Sequence, residues 1–558
     1  MQPAPAVPPS PVRRTTSPPN RAPQRSAAEG RSQEVPLAPA ELEDSCALDR
    51  SGAEAVYHGT DPSRQLLAYS PFRVVKYPCP RAPGSRAMLV EAGRIEMIQE
   101  GRLVRRVALP RSEAPIPFER IVRAVADPAW IDEVEPGVFE VATAIVQEAG
   151  TSMVVAAPDV RLIRLLDRPD VFLGGRGAIA RFEGVTVTSW DAERGGPDED
   201  LSDGRAFVLY DQGGRLDVVD SRMSYLGSDR SGGAYGVSWR QDGITGEVIN
   251  STFDHNLFGV FTYEAADMVF RGNVFRDNLS YGFDPHDYST GLVVEDNEAY
   301  GNGNHGFIVS RYVVDSVMRN NRSYGNKGSG IVLDFESNRN RVEDNLVEDN
   351  AGDGVVVLGS GDNVVMDNVI RNNRVGVRVN NLASVGNSIV SNHIEGNRVG
   401  VQAYGGSSDL EIVDNTILDS AETGVILDAP HTVLRGGEVR GAARGADIRT
   451  TALLSAVQIS EVDHGVTIAS TGIAQLDQVE IDARLQALRV ERDGLVTGVD
   501  SSTLFPQPSD LASPKKDAWL PFVGVSAVLV AVILELVRWK RERRDLACPV
   551  PAEVWNRA

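Results

Sequence analysis

Between about residues 230 and 430, short apolar runs such as Val355-Val356-Val357-Leu358 and Val425-Ile426-Leu427 return at a nearly constant interval. A glycine opens each coil of the pattern: Gly236, Gly259, Gly282, Gly306, Gly330, Gly354, Gly376, Gly400 and Gly424. The step, roughly two dozen residues, lies in the range of solenoid repeats. One row of asparagines runs in phase with it: Asn250, Asn273, Asn297, Asn321, Asn345, Asn368, Asn392 and Asn415. A second follows about five residues later: Asn278, Asn302, Asn326, Asn350, Asn373 and Asn397. Runs this short and β-branched, bounded by Gly and Asn, read as strands. The pattern predicts an all-β right-handed parallel β-helix with two or three short strands per coil. Gly and Asn are expected at left-handed turn positions. Stacked Asn side chains are expected to pair amide to amide, at about 4.8 Å per coil.

The flanks read differently. Residues 1–45 are rich in Pro, Ser, Ala and Arg without apolar periodicity, which predicts a disordered tail. No apolar run there can form a signal-peptide core, and none follows Arg13-Arg14. Residues 46–125 read as a small β-rich or mixed module, with strand-like runs at 72–76 and 95–98. Residues 118–125 and 129–135 read as helical. The β-helix is assigned to 126–500, its first coils lying beneath a cap because a solenoid end exposes strand edges. Residues 192–204 read as a long polar loop between coils, a length often functional or disordered. Residues 501–516 form a Pro/Ser-rich linker.

Residues 517–538 read as a single transmembrane helix, with Trp519 and Trp539 at its two boundaries. A basic tail, 539–558, follows; it places the C-terminus in the cytoplasm and the β-helix outside. The lipid bilayer is therefore an expected partner. An exterior β-helix needs an export signal, which favours a natural start further upstream. Unconventional export, or a cytoplasmic β-helix on a tail anchor, are the alternatives.

The formal net charge of −21 over 558 residues argues against non-specific nucleic-acid binding. It also requires that any polyanionic substrate meet a locally basic face. Three cysteines, Cys46, Cys79 and Cys548, make no CxxC, so neither a zinc site nor a disulfide framework follows. No Gly-rich phosphate loop is present, and no cofactor or metal is expected.

Counting from each glycine converts sequence into faces of the coil. One residue before it come Tyr235, Phe258, Tyr281 and His305. Two after come Ser238, Phe261, Asp284, Ile308 and Val332. Four after come Arg240, Tyr263, His286, Ser310 and Asp334, and five after, Gln241, Glu264, Asp287, Arg311 and Phe335. Lower coils carry bland residues in the same slots, such as Val356, Leu358 and Val375. Two of seven histidines thus fall in one patch with Asp, Tyr and Arg, which marks it as the candidate site.

Tyr281-Gly282-Phe283-Asp284-Pro285-His286-Asp287 resembles the YGxDPHD signature of the mannuronan C5-epimerases. Asn304-His305-Gly306-Phe307-Ile308-Val309-Ser310-Arg311 is similar to the segment that follows it in that family. Thr188–Asp191 and 205–240 look like its earlier coils, so the resemblance spans roughly 130–430. It implies a periplasmic alginate-modifying fold, an isomerase reaction, His286 as base and Arg311 as neutraliser of the substrate carboxylate. The membrane anchor departs from the family's soluble pattern.

The residues support that chemistry on their own. Inverting C5 of a uronate removes a proton alpha to a carboxylate. Arg311 can pair bidentately with the carboxylate, and His286 has the pKa class of a base near neutrality. Asp284 can orient it or share a proton with the substrate. Tyr281 or a held water can return the proton, and His305 is a second acid or base. Arg240, Tyr263, Glu264, Asp287, Ser310 and Asp334 are expected to line neighbouring sugar subsites. The expected partner is an exported anionic polysaccharide, a uronan, with polysaccharide-export machinery as a further candidate. A lyase that ends by β-elimination, or a non-catalytic carbohydrate-binding β-helix, are the alternatives. A calcium-dependent lyase could use Glu264, Asp284 and Asp287, but Pro285-His286 at the centre of the patch speaks against it.

Overall fold

A strand of three residues with its middle side chain turned inward is the smallest unit that can build a core, because successive side chains point to opposite faces. The chain uses this unit repeatedly. In one coil the strands are Val260–Tyr263, Val269–Arg271 and Val274–Arg276; in the next, Phe283–His286, Val293–Glu295 and Glu298–Tyr300. The one after holds Phe307–Ser310, Val317–Arg319 and Arg322–Tyr324. Each strand pairs in parallel with its counterpart one coil on, as in Phe270↔Val294↔Met318 and Phe275↔Ala299↔Ser323. Three columns of parallel strands result, making a right-handed solenoid of about fifteen turns. The computed structural model describes residues 84–505, apart from 110, 112, 113, 169, 170, 202, 203 and 229–234.

The core is one continuous stack along the axis. Phe270, Phe275, Phe283 and Phe307 meet at centroid distances of 4.7 to 6.2 Å. Each contributes roughly 1.5–3 kcal/mol by leaving water.

The asparagine rows are buried and linked as the spacing suggested. Asn297, Asn321 and Asn345 pass hydrogen bonds in one direction: each backbone N–H and each Nδ2 donates to the next Oδ1 at 2.9–3.0 Å. Asn278, Asn302 and Asn326 do the same at the neighbouring corner. Their backbone, however, is not left-handed. The left-handed residue is the one before: Asp296, Asn320, Asp344, Asp367 and Asp414, with φ of 53–58°. Asn250 belongs to that outer set (φ 50°), and Ser251 takes the inner place, donating its N–H to Asn273 Oδ1. A third row, Asn340–Asn363–Asn387, lines another corner.

The glycine row also has a different cause from the one expected. Gly259 through Gly424 do not adopt positive φ. A Cβ on Gly282 would lie 2.6 Å from the carbonyl oxygen of Gly306, and one on Gly354 2.6 Å from that of Gly376. Close approach of successive coils, not turn geometry, selects glycine here.

The N-terminal end is closed by an antiparallel meander, Arg86–Glu91, Arg94–Gln99 and Arg102–Ala108. A helix, Phe118–Val125, buries Phe118, Ile121 and Val125 over the first coils. Residues 129–135 are not helical: Ile131–Glu135 forms a hairpin with Val138–Val141, turning at Gly137 with φ 73°. The polar segment 192–204 is not a free loop either. It folds back so that Gly196–Pro197 pairs with Trp190–Asp191, and Asp198, 1% exposed, accepts from Ser189 Oγ.

Among the described residues no helix is long and apolar enough to cross a membrane. The segment read as a transmembrane helix, 517–538, the N-terminal tail, 1–45, linker residues 506–516 and the basic tail lie outside the described residues, whereas the start of the expected linker is not a linker: Thr503–Phe505 is a strand paired in parallel with Glu480–Asp482.

Candidate functional site

The strand column that carries Phe283–His286 sends Phe283 into the core and Asp284 and His286 to the outer face. Register then places Arg240, Tyr263, His286, Ser310 and Asp334 in one line across five coils. Neighbouring members stand about 4.8 Å apart.

Each site strand ends in two successive left-handed residues. These are Asp287 and Tyr288 (φ 26° and 61°), then Arg311 and Tyr312 (φ 60° and 61°). Non-glycine residues hold this backbone at a cost. Its effect is to swing Asp287 back over its own strand. Asp287 Oδ2 meets His286 Nδ1 in a very short contact, and Arg311 Nη1 stands 4.0 Å from the same oxygen. Asp287 therefore holds the imidazole at Nδ1. On an ordinary strand, residues 286 and 287 would point apart; the left-handed bend overrides that alternation.

With Nδ1 bound to a carboxylate, any base chemistry of His286 falls to Nε2. Burial disfavours its charged form, but the hydrogen bond to Asp287 and the charges of Asp284 and Asp287 outweigh both burial and Arg311. The result lies above the usual histidine range. The His286 and Arg311 side chains are 12% and 14% exposed, so both reach the surface.

Tyr281 and His305 stack one coil apart, nearly parallel (9°) at 5.6 Å. Phe258 covers the other side of Tyr281 at 5.1 Å. His305 Nδ1 accepts the Ser329 N–H at 2.8 Å. Burial and the Arg378 charge push its pKa down to about 4. It is a neutral ring with its proton on Nε2, so at neutral pH it is no base, contrary to one of the roles expected for it.

Asp284 is 2% exposed, between Phe261 and the position of Ile308. Asp334 is 5% exposed; burial pushes its carboxyl up to about 6, opposed by the Ser310 hydrogen bond and the charges of His286 and Arg311. Arg240 differs most from its expected place. It is 1% exposed, with its guanidinium 5.5 Å from the Phe261 ring and 5.3 Å from the Tyr263 ring. Those two rings belong to an aromatic cluster with Tyr235 and Phe258, and Arg240, buried beside it, offers no open subsite. Tyr263 itself is 9% exposed. Glu264 Oε2 accepts the Asp242 N–H at 3.4 Å. Among the described residues no group of three or more His, Cys, Asp or Glu could hold a metal ion.

Residues 208–364 and 287–417 match the right handed beta helix region family. A mannuronan C5-epimerase from Pseudomonas syringae pv. tomato is 32% identical over 221 residues, 36% of this chain and 40% of that protein. Another from Pseudomonas aeruginosa is 36% identical over 184 residues, 31% of this chain and 33% of that protein. The matched chain thus spans well under half the length of these curated relatives. The crystal structure of the periplasmic alginate epimerase AlgG superposes with a TM-score of 0.52, covering 68% of this chain and 84% of that one. At 24% identity it speaks for the fold alone. Over part of its coiled region the chain is thus similar in sequence to mannuronan C5-epimerases, and its fold is that of a right-handed β-helix.

Proposed function

We propose that this protein is an isomerase that inverts C5 of mannuronate residues in an anionic polysaccharide, alginate or a close relative. The observation that carries the reading is the His286–Asp287–Arg311 cluster: a base and a guanidinium one coil apart, both reaching the surface. The relatives' printed activity supports it.

Arg311 pairs with the uronate carboxylate and offsets the charge that builds on it as the C5 proton leaves. His286 Nε2 takes that proton; Asp287 fixes the tautomer and stabilises the imidazolium. Asp284, beside His286, adds to the same field. Tyr281 returns a proton from its phenol to the opposite face of C5. The cycle closes when solvent reprotonates Tyr281 and takes the proton from His286. Ser310, Asp334, Tyr263 and Glu264 flank the reacting sugar in adjacent coils.

The test is proton NMR of poly-mannuronate incubated with the full chain in heavy water. Guluronate signals with deuterium at C5 are expected. Unsaturated product absorbing in the ultraviolet would replace this reading with the lyase. No change in any uronan would leave the carbohydrate-binding alternative.

We read residues 517–538 as a membrane anchor on sequence alone, with the β-helix on the extracytoplasmic side. Fractionation of cells expressing the full chain, and a chain ending at 510, tests it: only the full chain should sediment with membranes.

A further inference from the structure

The column that holds Tyr281 continues through His305, Ser329 and Asp353, one position per coil. Its members are joined end to end. The Ser329 N–H donates to His305 Nδ1 at 2.8 Å, and the Asp353 N–H donates to Ser329 Oγ at 3.1 Å. The Asp353 carboxylate is fully buried. It accepts from Arg374 Nε and Nη2 at 2.8 and 2.9 Å and from Arg378 Nε at 2.5 Å. Arg378 also donates to Asn380 Oδ1 at 2.6 Å. Charged groups thus fix the far end of the column, and the near end is the ring against Tyr281.

An imidazole whose Nδ1 accepts a hydrogen bond keeps its proton on Nε2. Such a ring has no lone pair left for a substrate proton. What it can do is hold its neighbour. Tyr281 sits between that ring at 5.6 Å and Phe258 at 5.1 Å. Offset stacking of this kind restricts the tilt of the phenol.

We infer that His305 is a positioning residue, braced through Ser329 and Asp353, that aims the Tyr281 hydroxyl at the face of C5 opposite His286. The inference rests on the epimerase reading. Without the brace, His286 still abstracts the proton, because its own partners, Asp287 and Arg311, are untouched. Delivery from the other face slows. The His286 imidazolium then gives its proton back, the C5–H bond re-forms on the original face, and the starting sugar is recovered. In heavy water the imidazolium exchanges first, so deuterium enters C5 without inversion.

The experiment compares the full chain with His305→Ala and His305→Gln on poly-mannuronate in heavy water. NMR counts deuterium in unchanged mannuronate against deuterium in guluronate. The ratio of retained to inverted label should rise roughly 100-fold in His305→Ala, the loss expected for a misplaced acid. His305→Gln, whose Oε1 can accept the Ser329 N–H, should bring it back to within about ten-fold of the parent. Should the alanine variant not fold, His305→Phe keeps a ring against Tyr281 but lacks the acceptor, and the same rise is expected. An active parent with an unchanged ratio in the folded variants overturns this inference alone. A parent that neither labels nor inverts any uronan overturns the epimerase reading and this inference with it.

Discussion

Coils 259–312 and coils 376–427 are built on the same inner plan. Both stack parallel strands of three to six residues, and both place asparagine amides in buried rows. Inside, Phe283 and Phe307 in the first stretch occupy the places of Val377, Val401 and Val425 in the second. Outside, the two part company. The upper stretch carries Phe261, Asp284, His286 and Arg311. The lower one carries an apolar strip of Val375, Val399 and Ile426. The inner positions are constrained by packing against coils on both sides. The outer ones are free to vary, and there the charged groups of the candidate site accumulate. Function on this scaffold is a local decoration of a uniform rod.

The sharpest way to break that contrast is to strip the decoration. His286→Ala should lower epimerisation by roughly 1,000-fold, and Arg311→Ala by roughly 100–1,000-fold, with unfolding midpoints near the parent's. NMR rates and thermal unfolding together check this. A large loss of stability in either variant would mean that the outer face is structural after all.

The reverse experiment strikes the inner plan. Asn345→Ala leaves the Asn321 N–H and Nδ2 without their acceptor and the Met318 carbonyl without its donor. The expected cost is roughly 3 kcal/mol by denaturant titration. Activity per folded molecule should be unchanged.

A smaller effect concerns pH. His286 must be neutral to accept a proton, and its pKa lies above the ordinary histidine value. Activity should therefore fall as pH drops through that raised value, with the acid limb above about pH 6.5. Asp287→Asn removes the carboxylate that favours the charged ring, so the limb should move to lower pH. A limb that stays put in the pH–rate profile would separate Asp287 from His286.

The smallest effect is expected at Leu382, 81% exposed on a lower coil. Leu382→Ser should change stability by no more than about 0.5 kcal/mol and leave activity as it was.

Much of this was legible in the chain. The glycine and asparagine rows recur because every coil meets the same inner demands, so spacing alone reveals the coil and its columns. Reasons were harder to read than positions. A glycine excluded by an oxygen of the next coil looks, in sequence, like a glycine in a turn. The left-handed corners belong to Asp296, Asp344 and their equivalents, which precede the conspicuous asparagines.

At the candidate site, His286, Arg311 and Tyr281 could be gathered by counting. The reach of Asp287 could not, because a strand's alternation turns it away and only the bend after His286 brings it back. Nor could the burial of Arg240, whose guanidinium lies against the Phe261 and Tyr263 rings of the next coil. Residues 129–135 carry no marker that separates a helix from a hairpin strand; pairing with Val138–Val141 decides.

The amide rows have one further consequence. Every link in them points the same way, and in the row of Asn297, Asn321 and Asn345 each coil gives two protons to the side-chain oxygen of the coil that follows. The rod is therefore polar, like a zipper with a fixed direction of travel. It can gain or lose length only by whole periods, since any fractional insertion would strand donors on one side of the seam and acceptors on the other.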